Sequence, residues 1–525
     1  MLLLVLFAVA VVCWVLHRWI NMKPKNFPPG PPCFPVVGSA LSVPQARPDL
    51  KMEEWRETYG PVVGLVLGTR PGVAVCRPDA VFEALKNEDL QGRPDNKFFR
   101  ERTFNKRLGV FFTDGPFWVQ QRRFTLRHLR DFGFGKISME GRILEEVEDL
   151  VGSLANKTVQ VTELFGIHMV NVLWAVAAGS RFERHDARLK KLLEGVNETF
   201  RSGNPTGSML RRLLPFLTKL APGLTGYSRE VETRTELQDF IREAVHQHRE
   251  TLDVDNPRDF IDVYLREMDA SKDPTFTEDG LVATVFDLFG AGAESVSNTL
   301  AFAVMYLVLH PDVQQKLHKE LDLVVGHARR VSLEDRPQYV ALSIYKVKLS
   351  QNLTLNRYSE VLYKVEKEVL LISINVSCRL PYLEAVITEV SRINTIAPLC
   401  PPHAALKDTT LCGYNIPQGT WLFISLWSIM HDREHWGDPD VFRPERFIDK
   451  ETGKFVRDPF FINFGAGPRV CLGMALAKNN LFLFLASLLQ DFTISLPPDE
   501  PKPSTLALPG FTTAPKPFRA HFSTR

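Results

Sequence analysis

One decapeptide constrains this chain more than any other: residues 464–473, reading FGAGPRVCLG. It sets Cys471 among glycines at the end of a loop, just ahead of an apolar run from Met474 to Leu489 whose pattern predicts a helix. Backbone N–H groups of such a loop, with the positive end of the following helix, can point at the sulfur and stabilise its thiolate. A thiolate shielded by Phe464 can hold a metal ion and leave the opposite face of that ion open. The plainer alternative is a buried, inert cysteine in a glycine-rich turn.

Composition is consistent with a globular body. Of 525 residues, 45% are apolar, and Lys+Arg 63 against Asp+Glu 61 leaves a net charge of +2. These values argue against disorder, collagen and fibres, and the near-zero balance gives no ground for a nucleic-acid partner. The seven cysteines, at 13, 33, 76, 378, 400, 412 and 471, form no CxxC pair. A disulfide scaffold or structural zinc is therefore not expected, and the pattern suits a reducing compartment.

The chain opens with Leu2 to Ile20, apolar apart from His17 and Arg18. Nineteen helical residues span roughly 28 Å, enough for a hydrocarbon core. A cleaved signal peptide would want a basic start and a small-x-small site, and neither is evident. Arg18, Lys23 and Lys25 follow the span, which places the body in the cytoplasm by the positive-inside rule. The expected organisation is a transmembrane signal-anchor at 1–21, a proline-rich linker at 22–35 and one domain at 36–525. The linker contains Pro28-Pro29-Gly30-Pro31-Pro32, a stiff extended spacer.

Val62 to Gly68 and Val73 to Cys76 read as short strands, with further strand pieces expected near 405–425. From about 118 onward the periodicity is helical: Gly141 to Leu154, Arg188 to Phe200, Arg229 to Glu250 and Thr284 to Leu309. Glycines and prolines interrupt the pattern at 202–227, which also carries apolar pairs suited to a lid touching membrane. The fold class expected is mainly α, a single large domain with small β-sheets.

Residues 339–379 break the pattern. They contain no glycine, proline or aspartate, although Gly 32 and Pro 36 over the chain lead one to expect roughly five. Codons available to Gln338–Val340 can spell an intron donor, and those of Cys378–Arg379 an acceptor. Excision is in frame and leaves 484 of the 525 residues. The segment reads as a translated intron, the alternative being a genuine surface insertion.

The motif F-x-x-G-x-R-x-C-x-G is met at Phe464, Gly467, Arg469, Cys471 and Gly473. Here the chain resembles the cytochrome P-450 family of haem-thiolate monooxygenases. The resemblance implies Cys471 as proximal iron ligand, with Arg469 toward a porphyrin carboxylate. Further motifs follow in family order. Glu389 and Arg392 match E-x-x-R, one helical turn apart, and Arg446 lies in the Pro444–Phe447 match that joins them in relatives. Trp118, Arg122 and His403 match positions that hold haem propionates. Ala291, Gly292, Glu294 and Ser295 match the distal A-G-x-[DE]-[TS], in which acid and alcohol order water and relay protons toward dioxygen. Glycines there also suit close helix packing. Serine replaces the usual threonine, keeping the hydroxyl but losing the methyl that restricts its rotamer. Asn480 stands where relatives carry glutamate.

What the resemblance implies is a haem b enzyme of the microsomal animal drug- and hormone-metabolising clan, in the endoplasmic reticulum membrane. It would use O2, with NADPH electrons arriving through a flavoprotein reductase and a small haem protein as a second donor. The basic run Arg122 to Arg130 corresponds to the reductase-docking surface. The expected reaction is hydroxylation or epoxidation of a small lipophile in a pocket formed by Phe111, Phe112, Phe286, Ile396, Ala397 and Phe511, with Asp287 as polar handle or internal partner. Two alternatives stand beside it. One is a haem-thiolate isomerase or dehydratase needing no reductase, against which Glu294 and Ser295 speak. The other is a non-catalytic haem-binding membrane protein, should 339–379 be real and disturb the helix of Glu389.

Overall fold

The sheet that edges the site is assembled from distant pieces of chain. Strands β1 (Val62–Leu67) and β2 (Arg70–Val75) form an antiparallel hairpin turning at Gly68, φ 66°. β3 (His403–Ala404) and β4 (Trp421–Ile424) complete the order β1-β2-β4-β3. β4 runs parallel to β2, with Val73 opposite Leu422, and antiparallel to β3, with His403 opposite Leu422. Both expected strand regions thus meet in one sheet, and the pairing carries His403 to the site. A second sheet joins Lys157–Gln160, Arg519–Thr524 and Phe492–Ser495.

The computed structural model describes Cys13, residues 23–202 and 220–336 apart from 36, 45, 69, 185, 224, 225 and 272, and residues 379–525. The anchor expected at 1–21 and the segment 339–379 fall outside the described residues, save Cys13 and Arg379, as does most of the lid expected at 202–227.

Helices make up most of the rest. Those that build the site are α1 (Gly115–Asp131), α2 (Glu140–Gly152), α3 (Gly166–Ala177), α4 (Ala187–Ser202), α5 (Tyr227–Glu250), α6 (Glu278–Leu309), α7 (Pro381–Asn394) and α8 (Met474–Asp491). The helices read from periodicity recur within a few residues, except that α6 starts at Glu278 rather than Thr284. Its start is set by a cap, not by apolar spacing: Thr277 Oγ1 accepts from the Gly280 amide at 3.1 Å, and Glu278 and Asp279 fill the positive first turn.

α6 is long and apolar enough to cross a bilayer, yet 78% of its most apolar window is buried in protein. It is the central helix of the core. A Cβ on Gly292 would stand 3.0 Å from Leu173 of α3, so this glycine serves close packing as well as the site. The helix continues unbroken through 290–295.

Candidate active site

The cysteine loop is fixed by approach, then by hydrogen bonds. Gly467 adopts φ 68°, and a Cβ there would lie 2.1 Å from the Leu85 carbonyl oxygen, so only glycine fits. The turn Gly467–Arg469 follows, and the Cys471 amide donates to Phe464 O at 2.9 Å. The Gly473 and Met474 amides point at the sulfur, as the sequence predicts, and Arg122 adds positive charge nearby. These donors do not prevail by themselves. Burial is the largest influence and pushes the thiol above its ordinary value. The expectation of a thiolate stabilised by the backbone is corrected to this extent: the sulfur opens onto a cavity and suits a coordinating cation that replaces its proton.

That cavity, about 1060 Å³, is mainly apolar and has a cationic corner. The Arg469 guanidinium lies 3.7 Å over the Trp118 ring and donates to Gln91 O at 2.9 Å and Thr113 O at 2.8 Å. Trp118 Nε1 and Arg469 Nη1 are both buried without a hydrogen-bond partner among the described residues. Arg122 donates to Val470 O, and Arg93 to Phe111 O, Pro401 O and Pro402 O. Burial, reinforced by the other arginines, pulls Arg93 and Arg469 below the usual guanidinium range. Orphaned donors in a crowded cationic corner fit an anionic partner such as haem carboxylates, beside a sulfur suited to iron. Nothing local in the sequence marks Arg93, two of whose three carbonyl partners, Pro401 O and Pro402 O, lie more than 300 residues away.

His403 lines the same cavity but is held in another way. It is buried, and its Nδ1 sits 3.0 Å from Leu90 O. Burial first, then Arg93 and Arg469, hold it well below the ordinary histidine range. The neutral ring donates through Nδ1, leaving Nε2 as an acceptor. Nε2 donates to a carboxylate only if the ring takes up a proton as that anion binds.

The structural triad forms as expected. Arg392 Nε and Nη2 reach the two oxygens of Glu389 at 2.6 and 2.9 Å, and Arg446 Nε reaches Oε1 at 3.0 Å. Arg392 also donates to Met430 O and Pro439 O at 2.8 Å. α7 is intact, which removes the ground for the non-catalytic alternative.

On the distal side, successive residues of α6 diverge. Ser295 lines the cavity with its Oγ on Ala291 O at 2.9 Å. Glu294 is buried behind the wall, accepting from Thr512 Oγ1 at 2.9 Å and Asn298 Nδ2 at 3.3 Å. Burial raises its carboxyl to about 7, against the opposing Thr512 and Asn298 bonds and the Arg201 charge. Thr512 was not anticipated, being 218 positions away.

All the expected pocket residues line the cavity. Phe111 contacts Phe112 and Phe511 at ring separations of 4.8 and 6.1 Å. Asp287 is not free for a substrate. Its Oδ1 takes Arg102 at 3.0 Å, and its Oδ2 the Val110 and Phe111 amides at 2.9 and 3.0 Å. The polar-handle expectation is therefore corrected: Asp287 pins the aromatic loop. In the basic run, Arg123, Arg127 and Arg130 are exposed, whereas Arg122 turns inward.

An α-rich body with a cysteine so placed defines a haem-thiolate protein. The chain belongs to the cytochrome P450 family, whose sequence model matches residues 28–343 and 355–522. It is 36% identical to farnesoate epoxidase of Bombyx mori over 529 aligned residues, covering 99% of this chain and 98% of that protein. It is 35% identical to probable cytochrome P450 305a1 of Drosophila melanogaster, covering 99% of each chain. Cytochrome P450 2C16 of Oryctolagus cuniculus is 34% identical, covering 97% and 96%. The chain is thus an oxidoreductase of the haem-thiolate monooxygenase class, binding haem b and using O2.

Proposed function

We propose that this protein is a membrane-anchored monooxygenase that hydroxylates or epoxidises an unsaturated terpenoid acid, driven by an NADPH-dependent flavoprotein reductase. The observation that carries the reading is Cys471 opening onto an aromatic cavity beside the orphaned donors of Trp118 and Arg469. The farnesoate epoxidase of Bombyx mori supports the substrate class.

In this reading Cys471 holds the iron of haem b, with Trp118, Arg122, Arg469 and a protonated His403 about its carboxylates. Phe464 shields the sulfur. When bound, haem supplies the redox chemistry of dioxygen. Glu294, poised near neutrality, stores a proton behind the wall and is bonded to Thr512, which lines the cavity, while Ser295 presents a second hydroxyl to the same space. Phe111, Phe112, Phe286, Ile396, Ala397 and Phe511 exclude water and orient an apolar chain. Glu389, Arg392 and Arg446 hold the segment before the cysteine loop. Arg123, Arg127 and Arg130 form the basic face for the acidic reductase or a small haem donor protein.

The apolar 1–21 tethers the body to the endoplasmic reticulum with the catalytic domain in the cytoplasm. Residues 339–379 are a translated intron: Arg336 Nε on one side of the segment lies 2.5 Å from Glu384 Oε1 on the other, so the flanks already meet. Residues 344–354, which the family match omits, fall inside this segment. The test is reconstitution with reductase, NADPH, O2 and farnesoate. A product one oxygen atom heavier, formed only with reductase and O2 both present, supports the reading; turnover without reductase contradicts it.

A further inference from the structure

The charged side chains of the cavity wall are almost all committed. Arg102 is paired with Asp287 at 3.0 Å, and Lys97 with Glu101 at 3.4 Å. Arg93 is spent on three carbonyl oxygens and Arg122 on Val470 O. Among the described residues, two buried guanidinium nitrogens on this wall have no acceptor: Arg469 Nη1, in the corner beside Cys471, and Arg234 Nη1.

Arg234 belongs to α5, and Tyr227, Thr233 and Leu237 of that helix line the cavity with it. One turn further on, Gln238 Nε2 donates to the Arg102 carbonyl at 2.7 Å, which fastens this part of α5 against the segment before Phe111. Arg234 therefore stands where α5 meets the aromatic wall. Leaving a charged N–H buried without an acceptor is costly, and an incoming anion relieves that cost. Guanidinium matches carboxylate with two parallel hydrogen bonds, and an apolar surround strengthens them. Glu230, one turn before Arg234, lines the same cavity.

We propose that Arg234 is the specificity-determining residue that receives the carboxylate of an apolar acid, whose tail then lies along the phenylalanine wall. This rests on the monooxygenase reading above and names the group that selects an acid over its neutral derivatives. Because Arg102 is neutralised by Asp287, it contributes its stacked plane, with its guanidinium 5.0 Å from the Phe112 ring and 5.1 Å from the Phe286 ring.

The test is equilibrium binding to the haem-loaded protein by calorimetry and by the shift of the haem absorption band. The probes are straight-chain acids of twelve to sixteen carbons, each beside its methyl ester, at a pH where the acids are ionised. The expected result is that at least one acid binds tenfold or more tightly than its ester. Arg234→Gln then brings that ratio close to one, and Arg234→Lys leaves it intermediate. Two results overturn the proposal: no acid in the series outcompeting its ester in wild type, or an acid preference that survives Arg234→Gln. The carbon monoxide spectrum of each variant reports haem and thiolate separately. Loss of the thiolate signature in wild type breaks the monooxygenase reading, whereas an intact signature with no acid preference breaks only the role of Arg234.

Discussion

Replacing Glu389 by glutamine should be among the most damaging single changes far from the cavity. The side chain is fully buried and accepts from Arg392 Nε and Nη2, Arg446 Nε and the Arg443 amide. Glutamine keeps the size but removes the buried charge shared by two guanidinium groups, 0% and 7% exposed at the side chain. Asp438, 39% exposed and 3.3 Å from Arg446, offsets part of the second. Arg392 keeps the Met430 and Pro439 carbonyls, but of its two contacts with residue 389 one now meets a neutral amide oxygen and the other an opposing NH2. Removing one partner of a buried pair costs about 3–5 kcal/mol, a large part of a total stability of about 5–15 kcal/mol. Urea unfolding followed by circular dichroism should show that loss at unchanged slope, independent of salt, with a matching fall in thiolate-ligated haem. A loss below about 1 kcal/mol, or one that salt abolishes, would refute the argument that this triad is a desolvated lock.

Further expectations are open to direct measurement. Glu294 keeps its proton to a higher pH in the folded chain than its ordinary 4.5, releasing it at about 7. Its contribution to stability is therefore present below 4.5 and is lost as pH rises through 7, at about 1.4 kcal/mol per unit of pH. Subtracting a Glu294→Gln unfolding curve from wild type should reveal that slope; a difference independent of pH counts against it. Ser295→Thr should lower peroxide released per NADPH consumed, since the added methyl restricts the rotamer of the relay hydroxyl; no change would sink the idea. Sequencing the transcript across 338–380 should find the 484-residue form dominant, and reads retaining the segment as the main message would contradict the intron reading.

The parts of the site legible in the sequence are those in which chemistry and spacing coincide. Cys471 is flanked by the glycines its loop needs, and Glu389 and Arg392 are separated by one helical turn. α8 and α5 show in their apolar rhythm. The parts that escaped are pairings that topology alone creates. Thr512 meets Glu294, Arg102 meets Asp287 and Arg93 meets the Pro401 carbonyl, each across more than 180 positions. Periodicity reports which face of an element is apolar, not which distant polar atom the fold brings to it. The sulfur illustrates a different limit. Its amide donors were legible, but whether they outweigh burial depends on the depth of the cavity.

The most direct test is the carbon monoxide difference spectrum of the reduced protein, recorded for the 525-residue chain, the 484-residue form and Cys471→Ser of each. A strongly red-shifted Soret band is expected in the shortened form, abolished by Cys471→Ser. A folded, haem-loaded protein lacking that band, or a Cys471→Ser variant retaining it, would contradict Cys471 as the iron ligand and the monooxygenase function built on it.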